Sequence, residues 1–208
     1  MPKARNLPKK LLVEGKDDQH VLMALCKRFE IPENFEIIDS KGIDNLLLQL
    51  PERFKESDVT TVGVIVDADT DLAGRWLSIR SILVANGYDV PEQLPAQGLV
   101  ISHNEKPSVG VWLMPDNATN GMLEDFLRFL VPEDDSLLPV IQTNLQNIED
   151  QHLNRYTPAH KSKAVIHSWL AVQENPGTPM GLSITKRYLT TNHDNCSQLI
   201  SWIRTTFN

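Results

Sequence analysis

The residues that invite a chemical reading are three carboxylates, each placed where a run of apolar residues stops. Glu14 ends Lys9–Lys10–Leu11–Leu12–Val13, and Asp67 and Asp69 follow Thr61 to Val66. Alternate residues of an extended chain point the same way, so Asp67 and Asp69 are expected to face one ion together. Glu14 joins them if the first and third strands are neighbours. A set of hard oxygen ligands with no Cys or His beside it suits Mg²⁺ or Mn²⁺. Unpaired carboxylates repel one another, so such a cluster is strained until a cation binds. Lys16 and Arg75 lie within a few residues of these acids. Lys16 either touches phosphate or is an ordinary surface lysine, and Arg75 either contacts phosphate or forms a structural ion pair. Asp17 and Asp18 are read as helix caps, with a metal role as the lesser alternative, and Asp71 is read as the cap of the next helix.

The elements that must hold these acids are legible in the pattern around them. A short strand over 9–14 breaks at Gly15. A helix comes after it, with Val21, Leu22, Leu25, Cys26 and Phe29 on one face. Phe35 to Ile38 reads as a second strand. After Gly42 comes a helix carrying Ile43, Leu46, Leu47 and Leu50, expected to close at Pro51. Residues 61–66 are continuously apolar, as befits a strand covered on both faces. A helix with Trp76, Ile79, Ile82 and Leu83 ends near Gly87. Strands over Gly98–Ser102 and Val109–Met114 come next, then a helix over 121–130. The alternation β-α-β-α-β-α-β predicts an α/β fold, a three-layer α/β/α, Rossmann-like sandwich with a mainly parallel sheet. In such folds ligands sit beyond the carboxyl ends of the strands. Residues 1–130 are expected to form this core. Residues 131–208 are expected to form a mostly helical C-terminal extension packed on it, with its clearest helix over Ser162–Gln173. Trp112, Trp169 and Trp202 read as core residues.

Composition narrows the classes. The chain of 208 residues is 41% hydrophobic, enough to bury a sizeable core. No apolar run approaches the roughly 20 residues of a membrane span, and Met1 to Lys10 is basic without a signal-peptide apolar region. The expectation is a soluble, cytoplasmic protein with no membrane partner. The two cysteines, Cys26 and Cys196, are far apart, which excludes a disulfide framework and a Cys-ligated zinc site. The net charge of −7 hides an asymmetry. Residues 1–28 hold seven Lys/Arg and three acids, residues 150–208 six and three, and the middle seven and twenty-one. An acidic centre with basic ends suits a metal site flanked by phosphate-binding surface, and ordinary solvated faces explain it equally well. Two rival motifs fail. An EF-hand loop from Asp67 would need Gly and Glu where Leu72 and Ser78 stand. A haloacid-dehalogenase nucleophile motif would need Thr or Val in place of Asp71.

The segments "LLVEGKDD" at 11–18 and "VGVIVDADTD" at 62–71 resemble the two motifs of the TOPRIM domain. Topoisomerases, bacterial primases, overcoming-lysogenization-defect nucleases and the ribosomal-RNA maturation nuclease share that domain. The likeness covers residues 9–130. The whole chain is similar to a small bacterial stand-alone TOPRIM-like family whose members are described as domains of unknown function. Segments carrying that likeness are "AGRW" at 73–76, "VGVWLMPDN" at 109–117, "GMLEDFL" at 121–127 and "KAVIHSWLA" at 163–171. The resemblance implies that Glu14 is a general acid/base or metal ligand and that Asp67 and Asp69 bind metal. It offers Glu124 or Asp125 as a ligand for a second ion and Lys163 as a catalytic lysine. Acids at the start of a helix are favourable anyway. Lys163 and His167 share a helix face, which solubility explains as well as catalysis does.

Residues and resemblance together predict a metal-dependent nuclease on DNA or RNA. Its other expected partners are a separate ATPase, since no GxxxxGK[ST] occurs, and a second copy of the chain. The alternatives are a non-cleaving metal- or nucleic-acid-binding subunit of a larger complex and primase-like nucleotidyl transfer. The latter lacks a zinc-ribbon spacing for template binding. Tyr88, Tyr156 and Tyr188 have no special setting, and the chain is too short for a complete topoisomerase.

Overall fold

A computed structural model describes residues 7–208; the basic Lys3 and Arg5 lie outside the described residues. Five strands form one sheet in the order β2-β1-β3-β5-β4. They are β1 (Lys9–Val13), β2 (Glu36–Asp39), β3 (Thr61–Asp67), β4 (Leu99–Ile101) and β5 (Ser108–Met114). β2, β1, β3 and β5 run parallel, and the short edge strand β4 is antiparallel to β5. Helices cover both faces, giving the three-layer α/β/α sandwich.

The two faces follow from the period-two alternation of the strands. Leu11, Val13, Ile65, Trp112 and Met114 point to one side. There they pack against α1 (Lys16–Arg28), α4 (Leu123–Phe129), α5 (Leu137–Asp150), α6 (Lys161–Ala171), α7 (Met180–Thr185) and α8 (Asp194–Phe207). Leu12, Val62, Val64, Val66, Val109, Val111 and Leu113 point to the other, against α2 (Ile43–Arg53) and α3 (Leu72–Ala85). The helices after residue 131 thus share one apolar cluster with β1, β3 and β5, and Trp112, Trp169 and Trp202 are all buried in it.

Two glycines let α8 approach the sheet. Gly63 on β3 and Gly110 on β5 are register partners. A Cβ at Gly63 would stand 2.6 Å from Phe207 Cζ, and one at Gly110 2.6 Å from Thr206 Cγ2. Phe207 stacks on Phe35 with ring centroids 4.1 Å apart, and the Trp202 indole donates to the Leu99 carbonyl at 2.9 Å.

Sequence and structure differ at a few ends. α2 continues through Pro51 to Arg53, because a proline in the last turn forfeits one hydrogen bond without ending the helix. α1 starts at Lys16 with Gly15 as its N-cap, so Asp17 and Asp18 lie within the first turn, where the Asp18 carboxylate does cap the start by accepting from the Gly15 amide. Asp71 does cap α3, accepting from the Gly74 amide at 2.9 Å.

Candidate metal centre

The sheet order creates the crevice. From β1 the chain crosses by α1 to β2 on one side, then by α2 to β3 on the other, so the order reverses between β1 and β3. Open α/β sheets part at such a point, outside the carboxyl ends of the strands. β1 and β3 are paired in register, Val13 beside Ile65, which brings Glu14 next to Asp67.

A cleft of about 550 Å³ opens there. Its acids are Glu14, Asp17, Asp18, Asp39, Asp67 and Glu124, and its bases are Lys16, Lys41 and Lys163. Backbone amides fix the central pair. The Asp67 amide donates to Glu14 Oε1 at 2.8 Å, and the Leu123 amide donates to Asp67 Oδ1 at 2.9 Å. Asp18 reaches back one turn, where its Oδ2 accepts from the Gly15 amide at 3.1 Å. Asp18 Oδ1 is buried with no hydrogen-bond partner. Glu124, on α4, is 4% exposed. Its nearest counter-charge is Lys163 on α6, 3.9 Å from Oε1.

The electrostatics agree with the crowding. Burial and the neighbouring Glu14 push the Asp18 carboxyl up to about 7. Asp67 is raised well above the ordinary carboxylate range by burial, then by Asp18, Glu14 and Glu124. Glu14 is raised by burial, a trend opposed by the Asp67 amide and by Arg75. Glu124 is raised by burial, with Lys163 and His167 pulling the other way. Burial raises all four carboxyls, and repulsion among neighbouring acids adds to it, most clearly at Asp18 and Asp67.

The remaining expected residues stand around this cleft. Asp69 is not on the strand, which ends at Asp67; its φ of 52° lies in the left-handed region. The alternation of an extended chain therefore does not extend to it. Its amide donates to the Gly121 carbonyl at 2.8 Å, and its Oδ2 accepts from Arg75 Nη2 at 2.7 Å. Arg75 also donates through Nε to the Asp67 carbonyl at 2.9 Å, so it clamps the turn as a structural ion pair. Asn120 braces the same turn, accepting from the Leu72 amide and donating to the Thr70 carbonyl. Asp125 is engaged on both oxygens, by the Met122 amide and the Ser162 hydroxyl, which ties α4 to α6. Asp69 keeps its Oδ1 free of these partners, whereas ligation by Asp125 would require it to leave one of them. Lys16 lines the cleft and is exposed.

Among the described residues, no group of three or more His, Cys, Asp or Glu side chains is placed to hold a metal ion as they stand. The donor set nonetheless fits a hard divalent cation. It is all oxygen, its central acids each keep a second oxygen, and the orphaned Asp18 Oδ1 lacks the partner a cation would supply. Sequence reasoning passed over Asp39 and Lys41 and gave Asp18 a metal role only as the lesser alternative to a cap. Asp18 had a signal, four residues beyond Glu14 in the first turn of α1, but a cap explained it equally well.

No helix among the described residues is long and apolar enough to cross a membrane. No curated protein matches the chain significantly. The C-terminal region of the OLD protein of Xanthomonas campestris pv. campestris is similar at 14% identity, over 97% of this chain and 87% of that one. Its TM-score of 0.42 is too low to bear on fold or function. The family model described as Protein of unknown function (DUF3226) matches residues 8–208, almost the whole sequence, and the chain belongs to that family.

Proposed function

We propose that this protein is a TOPRIM-type, Mg²⁺- or Mn²⁺-dependent nuclease whose centre is the cleft at the carboxyl ends of β1 and β3. The observation that carries this reading is the set of four crowded carboxyls, Asp18 and Glu124 buried and Glu14 and Asp67 half-buried, with one Asp18 oxygen left unpartnered. The two sequence motifs that resemble the TOPRIM domain converge on that cleft, one supplying Glu14 and the other Asp67.

Glu14, Asp18, Asp67 and Glu124 would hold the cation. Its chemical contribution when bound is Lewis-acid polarisation of the phosphodiester. The protein's own residues do the rest. The Asp67 and Leu123 amides keep Glu14 and Asp67 oriented, so little reorganisation is needed at the moment of reaction. Lys163, exposed on one face and beside Glu124 on the other, is placed to offset negative charge developing on the phosphoryl oxygens. Arg75 and Asp69 hold the turn that presents Asp67.

A non-cleaving binding subunit is the second reading, favoured by the net charge of −7, which makes unaided capture of a polyanion inefficient. The test is cleavage of supercoiled plasmid, single-stranded DNA and structured RNA with Mg²⁺ or Mn²⁺, comparing wild type with Glu14→Ala. Cleavage lost in Glu14→Ala establishes the nuclease and its polymer class. Cation binding without cleavage of any of the three turns the assignment to the binding subunit.

A further inference from the structure

Three consecutive residues at the start of α4 have three different tasks. The Leu123 amide holds Asp67, Glu124 lines the cleft, and Asp125 reaches across to α6. The two oxygens of Asp125 join two helix starts. Oδ2 accepts from the amide of Met122, the N-cap of α4, at 3.0 Å, and Oδ1 accepts from the Ser162 hydroxyl in the first turn of α6. The chain leaves room for this carboxylate. Gly121 has a φ of 148°, and a Cβ there would stand 2.8 Å from Asp125 Oδ2. The Gly121 carbonyl in turn accepts from the Asp69 amide at 2.8 Å. The turn after β3, the start of α4 and the start of α6 are thus joined in one series, and it ends beside Lys163. Glu124 precedes Asp125 and Lys163 follows Ser162, so the two pairs sit side by side across the α4–α6 contact. The Lys163 ammonium is 3.9 Å from Glu124 Oε1, beyond hydrogen-bond reach, and it donates no hydrogen bond among the described residues. An exposed lysine on a flexible stem is not fixed by such a contact. Its place over the acids is set by its backbone. Apolar packing between α4 and α6 is non-directional. Among the described residues, the Ser162–Asp125 bond is the one side-chain hydrogen bond that ties these two helices together.

We infer that Asp125 and Ser162 are positioning residues whose hydrogen bond fixes the register of α6 against α4 and so holds Lys163 over the carboxylate cleft. This rests on the phosphodiester reading for its chemistry, and it makes Asp125 a helix latch rather than a cation ligand. Neither side chain touches the substrate; both act through Lys163.

The test is a double-mutant cycle in the cleavage assay, with Mn²⁺ affinity measured on each variant by calorimetry. Lys163→Ala should lower kcat about a hundredfold. Ser162→Ala should lower kcat about five- to tenfold with KM and Mn²⁺ affinity unchanged, and Ser162→Thr should recover most of that loss. The Ser162→Ala/Lys163→Ala double variant should match Lys163→Ala, because a residue that acts through the lysine then has nothing left to position. Asp125→Ala should lower kcat as Ser162→Ala does and keep its Mn²⁺ affinity. Three results overturn the latch while the nuclease reading stands: wild-type kcat in Ser162→Ala, a Ser162→Ala effect that persists in the Lys163→Ala background, or lost Mn²⁺ binding in Asp125→Ala. If wild type cleaves no substrate, the latch is read from lysines reductively methylated with ¹³C, which keep their charge, with Lys163→Arg identifying the signal. Mn²⁺ should broaden the Lys163 signal in wild type and broaden it less in Ser162→Ala, and the latch then stands without the nuclease. Equal broadening in both, or none in wild type, overturns it.

Discussion

The same strands behave differently at their middles and at their carboxyl ends. At Gly63 and Gly110 the sheet surface is stripped to backbone so that Phe207, Thr206 and Trp202 of α8 can sit against it. A few residues further along β3, Asp67 enters a cleft where buried acids outnumber their counter-charges. The first region is apolar, close-packed and satisfied apart from the Thr206 and Trp112 polar atoms. The second is held in an arrangement its own electrostatics oppose. The packing of α8, last in the chain, thus anchors the strands whose ends hold the acids apart from solvent.

That contrast can be broken from the packed side first. Phe207→Ala removes a ring that is 2% exposed and stacked on Phe35, and should cost about 3–5 kcal/mol in denaturant unfolding. Gly63→Ala forces a methyl group into Phe207 and should cost about 1–3 kcal/mol by the same measurement. On the acidic side the sign reverses. The folded-state pKa of Asp18, about 7, lies above its ordinary value of 3.8. The folded protein therefore binds more protons than the unfolded chain between these values, and stability falls as pH rises across that window. Asp18→Asn should then stabilise the cation-free protein at pH 8 by on the order of 1–2 kcal/mol and leave it unchanged near pH 3. Thermal melts at both pH values check this, and equal effects at the two would remove repulsion as the cause. The smallest effect is expected outside both regions. Asp71→Ala should cost about 1 kcal/mol through the lost α3 cap, with cation binding preserved.

Much of this architecture was legible in the sequence because apolar runs and helical spacing mark buried strands and amphipathic helices directly. The run 61–66, ending at Asp67, announced a central strand, and β1 and β3 are neighbours as the grouping of Glu14 with Asp67 required. The antiparallel direction of β4 was not legible, since three residues carry no sign of strand direction. Nor was the role of Gly63 and Gly110, whose meaning depends on α8, far along the chain from both. At the site, period-two reasoning grouped Asp69 with Asp67, but Asp69 lies beyond the strand in a left-handed turn, with one carboxylate oxygen on Arg75. Asp18 was hidden by the opposite ambiguity. An acid in the first turn of a helix is explained locally, and only the fold reveals that this one is buried beside Glu14 and Asp67.

The cation site itself is best probed by a Mn²⁺ titration read by electron paramagnetic resonance, on wild type and on Asp67→Asn with its fold verified by circular dichroism. Wild type should bind Mn²⁺ more tightly as pH rises through about 7, as Asp18 loses its proton, and Asp67→Asn should lose binding with its fold intact. Unchanged Mn²⁺ binding in Asp67→Asn would contradict a metal centre at the ends of β1 and β3.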